Sequence, residues 1–172
     1  MKLYVIRHGE TTWNVERKLQ GASDTELNEN GIALAIKTGK AMKEIPFDLC
    51  FTSPLKRARH TAQLVLGDRK EVPVIEDVRL REISFGEWEG KDSRLLPAEM
   101  LDNFFHHTEA YQPPKNAESL ESICKRTQEF YEELIQKLGS EAVKKDEPMK
   151  SHITFRVGGN ADLYIKPETA ED

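Results

Sequence analysis

At 172 residues the chain is long enough for one domain with a real hydrophobic core and too short for two ordinary ones. Charged residues make up 32% and apolar ones 38%, and no apolar stretch approaches the roughly 20 residues of a spanning helix, so the sequence predicts a soluble protein with no membrane partner. The net charge of -5 excludes broad nucleic-acid binding, which needs a basic face, and obliges any anionic substrate to find a local basic pocket. The apolar run after Met1-Lys2 is too short for a signal-peptide core, and Cys50 and Cys124 have no metal-ligand spacing. A reducing cytoplasm is the expected setting.

Residues 3–6 form a continuous apolar run ending in polar residues, the pattern of a parallel strand buried on both faces. Asn28 is placed to cap a helix whose apolar positions are Ile32, Ala35, Ile36 and Met42. Residues 47–52 read as a second buried strand. Ser53 follows as N-cap and Pro54 as first helical residue, with Leu55, Ala58, Ala62 and Val65 on one face. Residues 72–75 predict a third strand, and residues 91–115, with Pro97, Pro113 and Pro114 as breakers, an irregular cover.

From Asn116 as cap, Leu120, Ile123, Thr127, Phe130, Tyr131, Leu134 and Leu138 give the best helical stripe in the chain, ended by Gly139. Residues 140–148 are a charged connector. The tail then predicts a β-hairpin: Ile153, Phe155 and Val157 alternate with polar residues, Gly158-Gly159-Asn160 turns, and residues 163–165 return as strand. Strands alternating with helices imply an α/β fold with a mainly parallel sheet covered on both faces.

Arg7-His8-Gly9-Glu10 and Asn14 follow directly on the first predicted strand, at the end where open α/β sheets bind ligands. Arg57 falls in the first turn of the helix after the next strand, where free N–H groups and the helix dipole favour anions. Two strand ends thus aim Arg7 and Arg57 at one point, and guanidinium groups hold phosphate oxygens in forked pairs. Neutral imidazole is a competent phosphoryl nucleophile. His8 fits that task if its other ring nitrogen is fixed by a hydrogen bond, expected to a backbone carbonyl. The leaving alkoxide needs a proton, and Glu82, spaced before Gly86 and Gly90, is the candidate donor; Glu87 and Glu89 read as generic surface acids. His60, His106 and His107 read as surface residues, Trp13 and Trp88 as packing aromatics, and Gly158-Gly159 as a turn rather than a phosphate loop.

These residues stand in order: Arg7-His8-Gly9-Glu10 with Asn14, Gln20-Gly21, residues 24–27, residues 53–62 and residues 80–90. On them, residues 3 to about 138 resemble the histidine phosphatase superfamily, also called phosphoglycerate mutase-like. The resemblance implies a three-layer α/β sheet fold with helices on both faces. It implies His8 as the phosphorylated nucleophile, Arg7 and Arg57 as phosphate ligands, Glu82 as proton donor, and Asn14, Gln20 and Gly21 as pocket contacts. No metal and no cofactor are implied, and the substrate is a small phosphorylated metabolite. Members carry a second pocket histidine on a His-Gly step after a strand that follows the long helix. Here His152 stands near that position but is followed by Ile153, not glycine.

Residues 145–172, including Glu147-Pro148-Met149 and Gly158-Gly159-Asn160-Ala161-Asp162-Leu163-Tyr164, resemble instead the beginning of UDP-N-acetylenolpyruvoylglucosamine reductase, a flavoprotein. This opening piece cannot hold FAD alone. The expected organisation is a histidine phosphatase domain at 1–139 that stops before its last strands, a connector at 140–148 and a reductase-like fragment at 149–172. The expected function is hydrolysis of a small phosphomonoester through phosphohistidine, in the manner of α-ribazole phosphatases or broad-specificity bacterial enzymes. Phosphatase is favoured over mutase because residues 91–115 offer little chain for a water-excluding lid. The rival readings are an inactive or impaired phosphate-binding domain without the second histidine, and a fragment of an FAD-dependent reductase.

Overall fold

The computed structural model describes residues 3–138 and the backbone of two later strands. The chain divides into two compact units, Arg7–Thr127 and Met1–Ile6 with Gln128–Asp172. In the first unit, α1 (Thr12–Val15) and α2 (Glu29–Ala41) lead to β1 (Cys50–Thr52), α3 (Lys56–Leu66), β2 (Val74–Glu76) and α4 (Ala98–His106), and α5 (Leu120–Leu138) begins. Strands β1 and β2 pair in parallel, Cys50 with Val74 through Thr52 with Glu76, with α3 as the crossover that parallel pairing requires. Each strand is shorter than the apolar run that predicted it.

Helix α2 begins as expected: the Asn28 side chain accepts from the Gly31 N–H at 2.8 Å. Helix α3 differs. It starts at Lys56 rather than at Pro54, and its N-cap, Leu55, offers no side-chain bond. A residue far away in sequence does the capping, since the Lys56 N–H donates to Asp24 Oδ1 at 2.6 Å. The inner stripe of α3 is Arg57, Thr61 and Val65 at successive i,i+4 positions, while Ala58 and Ala62 are only half-buried. The helix turns a guanidinium and a hydroxyl inward, so a purely apolar face was the wrong expectation.

Residues 91–115 are not irregular throughout, for they contain α4. Pro97 immediately precedes that helix, where a fixed φ helps to start one rather than break it. Met100 is buried with Leu96 and Tyr111, and Leu19, Trp88, Leu101, Phe104 and Leu120 pack around them. The Phe104 ring stands edge-on to Phe85 and Tyr111, both with centroids 5.1 Å away. Helix α5 is capped by Ser119, whose Oγ accepts from the Ser122 N–H at 3.1 Å; Asn116, the expected cap, lies four residues before the helix with φ at 61°.

In the second unit, the predicted first strand is absent. Residues 3–6 form no strand with any described residue, and their side chains are exposed, Val5 to 88%. An apolar run becomes a strand only where a neighbour supplies hydrogen-bonding edges, which the run itself does not encode. Strands β3 (Val143–Pro148) and β4 (Asn160–Ile165) pair antiparallel, Val143 with Ile165 through Pro148 with Asn160. The segment expected as a charged connector therefore carries a strand, and the predicted return strand at 163–165 falls within β4. The other half of the predicted hairpin, its Gly158-Gly159 turn and His152 lie outside the described residues. Among the described residues no helix is long and apolar enough to cross a membrane.

Candidate active site

The segment Arg7–Glu10 passes so close to the start of α2 that side chains are excluded. A Cβ on Gly9 would lie 2.6 Å from the Gly31 carbonyl oxygen, and one on Gly31 would lie 2.2 Å from that of Glu10. The Gly9 N–H donates to Thr61 Oγ1 at 3.0 Å, and the Thr61 hydroxyl donates to the Arg57 carbonyl at 2.7 Å. One buried hydroxyl thus joins the histidine segment to α3.

His8 is half-buried. Its Nδ1 lies 2.8 Å from the Gly9 carbonyl oxygen, which can only accept, so Nδ1 carries the proton and Nε2 keeps its lone pair. Burial holds the His8 pKa below its ordinary 6.5; the Gly9 bond opposes this, the Arg57 charge adds to it, Glu82 opposes and Arg7 adds. The ring is neutral at pH 7. The three charges that reach it are those expected from the sequence.

Arg57 is 1% exposed. Its Nη1 donates to the Ser23 carbonyl at 2.6 Å, and its Nη2 donates to the Gly21 carbonyl at 2.7 Å and to Glu82 Oε2 at 3.1 Å. Its Nε is buried with no partner among the described residues, an unspent donor in a place where such groups are costly. Gly21 serves this grip twice over. Its φ is +51°, and a Cβ there would meet Glu89 Oε1 at 2.6 Å and the Ile83 carbonyl at 2.9 Å. Arg7 is exposed and makes no protein hydrogen bond among the described residues.

Asn14 and Gln20 meet through Thr11, which is completely buried. The Thr11 N–H donates to Asn14 Oδ1 at 3.0 Å, and the Asn14 N–H donates to Thr11 Oγ1 at 3.2 Å, closing a capping box on α1. The Thr11 hydroxyl donates to Gln20 Oε1 at 2.6 Å, and Thr25 Oγ1 donates to the same oxygen at 2.6 Å.

Four residues with structural tasks at this site were given none by the sequence: Thr11, Asp24, Thr61 and Glu89. Glu89 is no generic surface acid. Its Oε1 accepts from the Ala22 N–H at 2.9 Å, the Phe85 N–H at 2.8 Å and Ser84 Oγ at 3.1 Å, and its Oε2 accepts from Ser23 Oγ. The available signal was weak: an acid between Trp88 and Gly90, inside a turn rich in glycine and aromatics. Among the described residues no cluster of histidine, cysteine, aspartate or glutamate could hold a metal ion.

An α/β domain that brings a neutral imidazole, a buried guanidinium and a carboxylate together has the chemistry to handle a phosphoryl group. Residues 3–144 match the Histidine phosphatase superfamily (branch 1), and the chain belongs to that superfamily. Its fold is phosphoglycerate mutase-like. The chain is 36% identical over 132 residues to the adenosylcobalamin/alpha-ribazole phosphatase of Escherichia coli, covering 76% of this chain and 64% of that protein. It is 33% identical to a 2,3-bisphosphoglycerate-dependent phosphoglycerate mutase of Gloeobacter violaceus, over 79% of this chain and 64% of that one. Among solved structures, Bacillus stearothermophilus YhfR superposes with a TM-score of 0.68 at 36% identity, covering 76% of this chain and 65% of that chain. The chain thus spans somewhat less than two thirds of the length of these relatives.

Proposed function

We propose that the chain hydrolyses a small phosphomonoester through a phosphohistidine formed at His8. The observation that carries this reading is the Nδ1 bond to the Gly9 carbonyl, which leaves the Nε2 lone pair free on a neutral ring beside the Arg57–Glu82 pair. His8 Nε2 attacks phosphorus, the N–P bond forms and the P–O bond to the alkoxide breaks. Arg7 and the remaining Arg57 donors hold the phosphoryl oxygens. A phosphoryl group seated there competes with Glu82 for Arg57 Nη2. Glu82 passes a proton to the leaving oxygen. Water then attacks phosphorus, the N–P bond breaks to return the His8 imidazole, the water's proton passes to Glu82, and phosphate leaves. Asn14, Gln20 and Gly21 complete the pocket.

Hydrolysis rather than mutase chemistry is supported by α4, which commits Met100 to an apolar cluster and so ties residues 98–106 into the domain instead of leaving them free to close over the site. The relative named an alpha-ribazole phosphatase makes that phosphate ester the first substrate to try. The work is assigned to residues 1–139, with none for 140–148 or for the reductase-like 149–172. Unchanged turnover in His152→Ala is the outcome expected of that division, and a loss of turnover would put 149–172 back to work.

The test uses a phosphomonoester labelled with phosphorus-32, quenched in denaturant within the first turnover. The expected result is an acid-labile, base-stable mark on the protein that His8→Ala does not acquire, with turnover lowered by at least about 10⁴-fold. A mark retained in His8→Ala, or turnover indifferent to that substitution, overturns the reading.

A further inference from the structure

We infer that Glu89 is the positioning residue for the reaction proposed above, setting where Arg57 and Glu82 stand by holding both loops that carry their contacts. Four donors converge on its carboxylate. Two, the Ala22 N–H and the Ser23 hydroxyl, belong to the short loop whose Gly21 and Ser23 carbonyls grip the Arg57 guanidinium. The other two, the Ser84 hydroxyl and the Phe85 N–H, belong to the segment that begins at Glu82, the third partner of Arg57. A single acceptor group therefore fixes the phosphate clamp and the proton donor relative to each other.

The chemistry of the donors requires an acceptor at Oε1, where the Ala22 and Phe85 N–H groups, which can only donate, both end. The Ser23 hydroxyl at Oε2 can accept as well as donate, so a carboxamide at position 89 can keep all four contacts. Truncation to alanine removes every acceptor at once. Gly21 fits the same design: a Cβ there would sit 2.6 Å from Glu89 Oε1, so the bare backbone at 21 is what admits the carboxylate. The side-chain charges that reach His8 come from Arg57, Glu82 and Arg7, and Glu89 is not among them. Any influence of Glu89 on the nucleophile passes through those groups.

The experiment compares wild type with Glu89→Ala on two esters, 4-nitrophenyl phosphate, whose leaving group needs no proton, and β-glycerol phosphate, whose leaving group does. Displacement of Arg57 raises the inhibition constant of inorganic phosphate by about tenfold, part of the 10²- to 10³-fold of a lost donor. Displacement of Glu82 lowers kcat for β-glycerol phosphate about tenfold more than for 4-nitrophenyl phosphate, a fraction of the 10²- to 10⁴-fold that general acids supply. Glu89→Asp, which keeps the charge and the acceptors, recovers part of both losses.

Equal loss of kcat on both esters with KM and phosphate inhibition unchanged overturns the inference, because that is the signature of a smaller folded fraction alone. If Glu89→Ala fails to fold, the double variant Ser23→Ala with Ser84→Ala removes one bond on each side and is expected to show the same two changes at smaller size; no change in either overturns it. Should wild-type turnover prove independent of His8, the functional reading falls by itself. Calorimetric titration with inorganic phosphate then still tests Glu89, with weaker binding in Glu89→Ala in its favour and equal binding against it.

Discussion

Arg57 and Met100 are both buried in the unit Arg7–Thr127, yet their surroundings differ in kind. Around Arg57 three groups are held by directed bonds, two carbonyls and a carboxylate, and behind them stand the Glu89 and Thr61 contacts. Around Met100 the neighbours are Leu96, Tyr111 and a ring of partly buried apolar side chains with no bond directions to satisfy. The first region encodes position and the second encodes cohesion. Losing one atom in the first misplaces a charge, whereas losing several in the second leaves a void whose cost is thermodynamic.

Substitutions on the two sides sharpen this contrast. Arg57→Ala is expected to lower kcat/KM by about 10²- to 10³-fold, the range for one lost charge-stabilising donor, and to strip the Gly21 and Ser23 carbonyls of their partner. Steady-state kinetics on 4-nitrophenyl phosphate measures it. A loss of under tenfold would place the phosphate clamp elsewhere. Met100→Ala should do the reverse, costing about 2–5 kcal/mol in urea unfolding while leaving kcat of the folded fraction within about twofold. A specific kinetic defect there would erase the distinction between the regions.

The acidity of His8 gives a finer probe of the polar region. Its folded pKa lies below 6.5, so the neutral nucleophile survives to lower pH than a free histidine would allow, and the acid limb of kcat/KM is expected below pH 6.5. The same shift links to stability. Between the folded value and 6.5 the unfolded chain binds the extra proton, so stability rises with pH across that window and is lost as pH falls through it. A limb at or above pH 6.5 would contradict the burial of the ring. The smallest effect belongs to the apolar side: the Tyr111 hydroxyl is buried without a partner among the described residues. Tyr111→Phe should leave activity unchanged and raise the melting temperature slightly, by up to about 1 kcal/mol in stability.

The groups proposed to do the chemistry were placed by local sequence alone. His8 sits at the end of an apolar run and Arg57 in the first turn of a helix after another, and the Asn28 cap of α2 is a three-residue relation. What escaped depends on distance along the chain. Asp24 caps α3 across more than thirty residues, and Glu89 reaches back to Ala22 and Ser23 across more than sixty. No local pattern records such closures. The missing strand at residues 3–6 and the unexpected helix at 98–106 are failures of the same type, for a strand is defined by its neighbours, and Pro97 reads as a breaker until the cluster under Met100 shows which way the next residues turn.

Thr11 has a consequence for selectivity. A carboxamide offers an electronegative end and an electropositive end, and most pockets leave it free to rotate. The Thr11 N–H can only donate, so it pins the oxygen of Asn14 inward, while the Thr11 and Thr25 hydroxyls, which can also accept, hold one end of the Gln20 amide without dictating which. The exposed Asn14 side chain is thereby left with its NH2 to offer, a donor whose direction the fold has set.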